Sequence, residues 1–291
     1  MMTKAGTVTV AGRPNAGKST LLNRLVGQRL AITSPKPQST RERVVGLITD
    51  DNTQIILLDT PGLLEPAYAL QKSMRDSSLR ALDDADVIIH LIDALEGTVE
   101  TLAAAAGLPA DRAPRAPTIL TFNKADGLSA GRRAALLTEN PGAVVISALT
   151  GDGVPGLLDR VRALLPEHPF YYDAEDLSTQ NMRFFASEMI RETALEQLED
   201  EVPYSIACEI EEFRETRSPV YIRAVLHVER DSQKRILIGA GGSRIKSIGM
   251  RARGKIEALI GSPVYLDLHV KVLPNWRRDS AALRRLGYRV E

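Results

Sequence analysis

The sequence has few of the residues that form disulfide frameworks and metal centres. It contains one cysteine, Cys208, and four histidines among 291 residues. A single cysteine forms no internal disulfide, and the Cys and His residues lack the spacing of metal ligands, which disfavours a disulfide scaffold and a transition-metal site. Cys208 lies in an alternating strand pattern, which favours a buried apolar role over a reactive thiol.

Long apolar runs are also missing. No run approaches the roughly 18 residues of a membrane span, and the first four residues lack the apolar core of a signal peptide. We therefore expect a cytosolic protein. The chain is 44% hydrophobic and 25% charged, which is ordinary for a globular protein, and 291 residues suffice for about two domains.

The formal net charge is zero, but the charges are unevenly distributed. Residues 1–179 hold 18 basic and 21 acidic residues, whereas 180–291 hold 19 and 16. Residues 230–260 contain eight basic residues and only two acidic ones. The basic residues are Arg230, Lys234, Arg235, Arg244, Lys246, Arg251, Arg253 and Lys255. This cluster, which surrounds a glycine loop, favours a polyanion partner, and a solvated helix face explains it equally well.

Residues 12–19 match the pattern G-x-x-x-x-G-K-[ST] in full. They follow a β-like run at 7–11 and precede an amphipathic helix, which is the setting of a phosphate-binding loop. Main-chain N–H groups of such a loop converge on a polyphosphate, while Lys18 reaches the β- and γ-phosphates and Ser19 holds Mg²⁺. The predicted phosphate-binding residues are Gly12, Arg13, Pro14, Asn15, Ala16, Gly17, Lys18, Ser19 and Thr20.

Up to residue 165, short apolar runs alternate with helical patterns, at 7–11, 44–49, 55–58, 87–92, 118–122 and 144–146. The alternation predicts an α/β fold, a mostly parallel sheet with helices on both faces. The second and third runs are joined by four residues only, so one strand should be antiparallel. The ligand should lie beyond the carboxyl ends of the strands.

A second motif, Asp59-Thr60-Pro61-Gly62, ends the run at 55–58. There Asp59 is expected to bind Mg²⁺ through water, and the Gly62 N–H is expected to sense the γ-phosphate. Taken alone, these four residues are equally compatible with an ordinary turn.

Two further motifs follow the last two strands of this region and indicate guanine. Asp126 can accept from both N1–H and the 2-amino group of guanine, whereas adenine offers no such pair of donors. A main-chain N–H after the run at 144–146 can meet the guanine O6. The predicted guanine-binding residues are Asn123, Lys124, Asp126, Ser147, Ala148 and Leu149.

The order of these motifs resembles that of P-loop GTPases. The resemblance makes residues 34–41 switch I, with Thr40 as a ligand of Mg²⁺ and the γ-phosphate. Leu63 replaces the glutamine that orients water in Ras-like proteins, so we expect slow intrinsic hydrolysis, on the order of 10⁻⁴ to 10⁻² per second. The form of the loop around Asn15 resembles that of potassium-stimulated GTPases, which implies a K⁺ ion near the phosphates.

Residues 166–179 end the preceding helical pattern and start no new apolar periodicity of a helix or strand. We predict a GTPase domain over 1–166, a linker over 167–179 and a second domain over 180–291. The second domain has a helix at 180–199, strands near 205–215 and 220–229, a glycine loop, a helix to about 260 and a strand at 264–272.

This order resembles an α+β KH domain of type II, whose G-x-x-G loop clamps single-stranded RNA backbone. By this resemblance Arg244 and Lys246 contact phosphates. The loop carries Ala240 and Gly241 where a lysine is common. The predicted RNA-binding residues are Ile238, Gly239, Ala240, Gly241, Gly242, Arg244, Ile245 and Lys246.

Over essentially its whole length the chain resembles the Era family of bacterial GTPases. The resemblance implies a switch between GTP and GDP that requires Mg²⁺, binds the 3′ end of small-subunit (16S) ribosomal RNA and acts in small-subunit assembly. It further implies a cytoplasmic location with a loose membrane association and no DNA partner. A constitutive RNA-binding scaffold with a structural nucleotide site is the alternative. Trp276 fits either stacking on RNA or anchoring the terminal helix.

Overall fold

The structure is a computed structural model that describes residues 2–96, 99–109 and 112–290. Its contacts divide the chain into two compact units. The first contains Met1–Ala67 and Met74–Thr179, and the second contains Tyr68–Ser73 and Gln180–Glu291. In the described ranges, no helix has the length and apolar character needed to cross a membrane.

The first unit is an α/β structure, as predicted. Its six strands form one sheet in the order β2-β3-β1-β4-β5-β6, with every neighbouring pair parallel except β2 and β3. The predicted hairpin is therefore confirmed. The elements are β1 (Lys4–Ala11), α1 (Lys18–Val26), β2 (Val44–Thr49), β3 (Thr53–Asp59), α2 (Ala69–Asp83), β4 (Val87–Asp93), α3 (Leu102–Ala105), β5 (Thr118–Asn123), α4 (Ala130–Glu139), β6 (Val144–Val145) and α5 (Val154–Leu164).

Strand β2 shows how helices come to cover both faces of this sheet. Val45 and Leu47 belong to a buried apolar cluster with Ala81 of α2. The intervening Gly46 points the other way, towards Val26 of α1. Because successive residues of a strand face opposite sides, the apolar character of β2 on both sides requires a helix on each.

Residues 167–179, which the sequence predicts to be a linker, are bound to the edge of the first unit's sheet. The Leu47 N–H donates to the Leu177 carbonyl at 2.9 Å, and Ser178 Oγ donates to the Val45 carbonyl at 2.6 Å. The Gln54 side chain accepts from the Tyr171 and Tyr172 amides at 2.7 and 3.0 Å. The segment thereby satisfies main-chain groups that an edge strand leaves open.

In the second unit, the helices α6, α7 and α8 pack on one face of a three-stranded sheet. Strand β8 is antiparallel to β7 and parallel to β9. Its residues Ile222, Ala224 and Leu226 are buried against helix residues that include Ile190 and Ile248. The elements are α6 (Met182–Gln197), β7 (Ala207–Arg214), β8 (Val220–Val228), α7 (Asp231–Ile238), α8 (Ser243–Ile260), β9 (Val264–Val272) and α9 (Ser280–Arg285).

Helix α7 is missing from the sequence-based prediction, which treats its last three residues as an apolar lead-in to the glycine loop. Only Gln233 and Leu237 of α7 are buried, so the helix shows little apolar periodicity. Its start is fixed by capping instead, because Gln233 Oε1 accepts from the Glu229 and Arg230 amides at 3.0 and 3.1 Å.

Trp276 is completely buried in the second unit. Its Nε1 donates to the Ser205 carbonyl at 2.8 Å, and its ring stacks on Tyr288 with the centroids 6.1 Å apart. Of the two roles that the sequence leaves open, the structure supports the anchor, since a side chain without exposed surface offers no face to a base.

We therefore expect Trp276→Ala to lower the free energy of unfolding of the second unit by about 3–5 kcal/mol, the usual cost of removing a buried tryptophan. Urea denaturation followed by circular dichroism measures this loss. Trp276→Phe, which keeps much of the packing and removes the hydrogen bond, should cost clearly less. A wild-type unfolding curve for the alanine variant would contradict the anchoring role.

Candidate functional site

The predicted motifs of the first unit converge at one edge of its sheet. They follow the carboxyl ends of β1, β3, β5 and β6, where open α/β sheets bind ligands. An open cleft of about 450 Å³ lies there, lined chiefly by residues from 14–20 and 32–40. A neighbouring hollow of about 410 Å³ is lined by Ala148 and Leu149 and shares Thr20 and Thr33 with the cleft. The phosphate-loop and base-recognition motifs thus meet on one surface.

The loop between β1 and α1 requires glycine at position 17. Gly17 has φ of +97° and is the residue before the first turn of α1, and a Cβ there would overlap the Asn123 side chain. Only glycine combines this left-handed conformation with so close an approach. The first amides of α1 consequently open on the cleft, where their partial positive charge favours an anion.

Lys18 lies under this loop with only 6% of its surface exposed. Its Nζ donates to the Gly12 and Arg13 carbonyls at 3.2 and 2.8 Å. Burial lowers the pKa of Lys18 to about 8, and Asp59 opposes that shift. Arg13 contributes its carbonyl only, because its side chain pairs with Glu100 on the loop after β4.

Asp59, Ser19 and Thr40 form a compact cluster of oxygen atoms. Ser19 Oγ donates to Asp59 Oδ2 at 2.6 Å and lies 3.0 Å from Thr40 Oγ1, which is 3.4 Å from the same carboxylate oxygen. Asp59 is fully buried, and its Oδ1 has no hydrogen-bond partner in the described part of the chain. Burial raises the pKa of Asp59 to about 6. An oxygen-only set with an unsatisfied carboxylate atom fits a hard divalent cation such as Mg²⁺.

The other residues of the second motif are held in place by neighbouring elements. Thr60 Oγ1 donates to the Val10 carbonyl of β1 at 2.9 Å, and Ser78 Oγ of α2 donates to the Pro61 carbonyl at 2.9 Å. Gly62 lies against Pro14 of the phosphate-binding loop. The second motif is thereby anchored to β1 and to α2, with Gly62 beside the phosphate-binding loop.

Leu63 does not point into the cleft. Its side chain is 3% exposed and packs with Ala11, Leu82 and Ile88 in an apolar cluster, while its amide donates to the Gly12 carbonyl at 3.1 Å. The side chain therefore cannot orient a water molecule, as the sequence predicts.

Asn123 joins the two ends of the site. Its Nδ2 donates to the Ala16 carbonyl at 2.8 Å, and its Oδ1 accepts from the Ala148 amide at 2.8 Å. One buried amide thus sets the spacing between the phosphate-binding loop and the loop after β6.

Asp126 and Lys124 are each positioned by one partner. Ser147 Oγ donates to Asp126 Oδ1 at 2.5 Å, which orients the carboxylate and leaves acceptor positions on both oxygens for a ligand. Lys124 Nζ forms an ion pair with Asp93 at the end of β4, and it also lines the cleft. The sequence-based prediction missed both Asp93 and Ser78, because no local pattern links them to the site.

The glycine loop of the second unit connects α7 to α8. Gly239 has φ of +75°, and a Cβ there would lie 2.8 Å from Cβ of Arg244. Arg244 is partly committed to the fold, since its Nη1 donates to the Ile236 carbonyl at 2.8 Å and so closes the end of α7. Ile245 packs on the core, whereas Ala240, Gly241 and Lys246 are exposed. Ile238 and Gly242 lie half-buried at the two ends of the loop.

Some of the eight basic residues between 230 and 260 are paired with acidic residues of the same unit. Lys255 Nζ lies 2.8 and 2.7 Å from carboxylate oxygens of Glu192 and Glu196 on α6. Arg253 lies 3.8 Å from Glu257. Lys255 is therefore paired within the fold, whereas Lys246 and Arg251 of α8 are exposed.

Two family models match the chain. The one described as a 50S ribosome-binding GTPase matches residues 7–124, and the one described as a KH domain matches residues 201–277.

Curated relatives match over nearly their full length. The chain is 41% identical to GTPase Era of Thermotoga petrophila, covering 99% of this chain and 98% of the relative. It is 43% identical to GTPase Era of Nocardioides sp., with 98% and 96% covered.

Solved structures of Era proteins also match nearly the whole chain. The crystal structure of Era in complex with MgGDPNP and nucleotides 1506–1542 of 16S ribosomal RNA matches with a TM-score of 0.91 and 36% identity, covering 99% of this chain and all of that one. An Era variant of Aquifex aeolicus bound to GDP·AlF4⁻ matches with a TM-score of 0.90, 36% identity and the same coverage. The chain belongs to the Era family of GTPases.

Proposed function

We propose that this protein is a GTP-hydrolysing switch that binds the 3′ region of 16S ribosomal RNA through its KH domain and acts in assembly of the small ribosomal subunit. The observation that carries the nucleotide part is the double hydrogen bond of Asn123, which holds a polyphosphate loop and a base-recognition loop at fixed spacing. The RNA part is supported by the related Era crystallised with MgGDPNP and nucleotides 1506–1542 of that RNA.

Guanine recognition is assigned to Asp126 and to the loop that follows β6. With one carboxylate oxygen held by Ser147, Asp126 presents a fixed acceptor to N1–H and the 2-amino group. Adenine would leave this acceptor unpaired, which costs about 1–3 kcal/mol or more for a charged group.

The triphosphate is assigned to the main-chain amides of residues 15–18 and to the side chain of Lys18. Phosphate charge beside the buried ammonium favours its protonated form and so offsets the lowering of its pKa by burial. Ser19, Thr40 and Asp59 are the residues that would hold Mg²⁺, which when bound neutralises phosphate charge. Thr40 lies on segment 34–41, so GTP would order that segment through it.

The KH loop is assigned to single-stranded RNA backbone. Exposed Ala240 and Gly241 permit close approach of the sugar–phosphate chain, and exposed Lys246 supplies charge. GTP can strengthen RNA binding only if RNA has different affinities for the two nucleotide states. A loose association with the membrane stays a prediction from the family.

We expect Asp126→Asn to exchange the base preference of the site. An asparagine amide can donate to the 2-oxo group of xanthine but cannot accept from both guanine donors, so GDP affinity should fall about 100-fold or more while XDP affinity rises. Calorimetry with both nucleotides in Mg²⁺ measures the exchange.

Asp152→Asn is the matched control, since Asp152 is an exposed carboxylate of the neighbouring loop that pairs with Arg133. It should keep the wild-type preference. An Asp126→Asn variant that still preferred GDP would refute the assignment of Asp126, and wild-type protein that bound no guanine nucleotide would refute the function.

We expect RNA affinity to respond to a charge placed at position 240. Ala240→Lys should tighten binding of nucleotides 1506–1542 and steepen the dependence of log affinity on log salt by about 0.7, the value for one added contact to a single strand. Ala240→Glu should weaken binding. Filter binding at several KCl concentrations measures both.

The same assay tests the switch. Wild-type protein loaded with GDPNP should bind the RNA more tightly than protein loaded with GDP, and Ala240→Glu should be weak in both states. Equal affinities in the two states would support the constitutive scaffold instead. Two variants with unchanged affinity would show that the loop is not the RNA site.

We further propose that K⁺ stimulates hydrolysis through Asn15. Leu63 supplies no group for the attacking water, so hydrolysis must be assisted in another way, and a K⁺ ion would add positive charge beside the phosphates. Asn15 Nδ2 donates to the Pro35 carbonyl of segment 34–41 at 3.0 Å, which brings two oxygen-bearing groups together beside the cleft.

GTP turnover should therefore be about tenfold faster in KCl than in NaCl of equal ionic strength, which corresponds to about 1.4 kcal/mol of barrier. Asn15→Ala should remove most of this difference with little change in GDP affinity. Equal wild-type rates in both salts would reject the K⁺ site.

A further inference from the structure

Arg24 on α1 is hydrogen-bonded to the loop that follows β6. Arg24 lies six residues beyond Lys18 on the helix that follows the phosphate-binding loop. Its Nε donates to the Ala148 carbonyl at 3.2 Å, and its Nη2 donates to the Leu149 carbonyl. Gly151 of the same loop lies beside the guanidinium. A planar guanidinium with a fixed fork of donors thus binds two successive carbonyls.

The main-chain amides of that loop are almost all committed within the protein. The Ser147 amide donates to the Asp152 carbonyl, the Ala148 amide to Asn123 Oδ1, the Thr150 amide to Ser147 Oγ and the Gly151 amide to the Ser147 carbonyl. Of the amides of residues 147–151, the Leu149 amide alone has no hydrogen-bond partner in the described part of the chain. It is therefore the donor of this loop that is available to a ligand.

The Leu149 N–H and the Ala148 carbonyl belong to the same peptide group. A trans peptide is planar, with its C=O and N–H pointing in opposite directions, so a hydrogen bond that fixes the carbonyl also fixes the direction of the amide. Arg24 binds that carbonyl with Nε and the carbonyl of the next peptide group with Nη2, and it thereby restrains two successive peptide groups.

We propose that Arg24 is a positioning residue that aligns the Leu149 N–H with O6 of the guanine base. The inference rests on the proposed guanine site, and it assigns the contact to O6 to one particular amide. Arg24 lines the hollow beside Ala148 and Leu149, and both of its printed hydrogen bonds go to main-chain carbonyls of this loop. It acts through the peptide group that carries the free donor, and it connects base recognition to the same helix whose first residue is Lys18.

The test compares GDP with 6-thio-GDP, in which sulfur, a weak acceptor, replaces O6 while both donors to Asp126 are kept. Arg24→Gln should weaken GDP binding about fivefold, the value of one hydrogen bond, and change 6-thio-GDP binding less than twofold. Arg24→Lys, which can hold only one of the two carbonyls, should lie between. Competition against a fluorescent GDP in Mg²⁺ measures all affinities.

Arg133→Gln is the matched control, because Arg133 contacts the same loop through the Asp152 side chain rather than through the peptide group of Leu149. It should leave the ratio of GDP to 6-thio-GDP affinity as in the wild type. Equal weakening of both nucleotides by Arg24→Gln would show a merely structural anchor, and unchanged affinities would show no role; either overturns the inference. Wild-type protein that bound neither nucleotide would overturn the guanine site itself.

Discussion

The site depends on the side chain of Asn123, which is nearly buried and is hydrogen-bonded at both ends. Through Ala16 it holds the phosphate-binding loop, and through Ala148 it holds the loop after β6. Both contacts require the absence of a side chain at Gly17. Because a buried amide that loses a partner keeps its desolvation cost, the arrangement resists partial opening. The distance between the two ends of a nucleotide is thereby set by the fold before any ligand arrives.

Electrostatics adds a second constraint at the phosphate end. Lys18 and Asp59 are both desolvated, and each stabilises the charged form of the other. Without a ligand the pair is costly, because burial acts against both charges. A nucleotide phosphate and a hard cation would each satisfy one of these groups. The burial of these two charges therefore favours binding of the phosphate and the cation together.

In the second unit, two of the basic residues near the proposed RNA site also make contacts within the fold. Arg244 closes α7, and Lys255 is engaged by two glutamates of α6. The glycine loop keeps its exposed surface at Ala240, Gly241 and Lys246. The proposed RNA contact therefore depends on the backbone shape of the loop as well as on the basic residues around it.

The sequence by itself determined the elements whose signal is local. The phosphate-binding pattern, the strand runs, the short hairpin and the last strand of the second unit all appear where periodicity and turn residues place them, because these depend on neighbours a few positions away. The tertiary structure alone decided the burial of Trp276, the binding of residues 167–179 to a sheet edge and the hydrogen bonds of Arg24 to the loop after β6. Each of these is a contact between groups that only folding brings together, and neither composition nor spacing carries a trace of it.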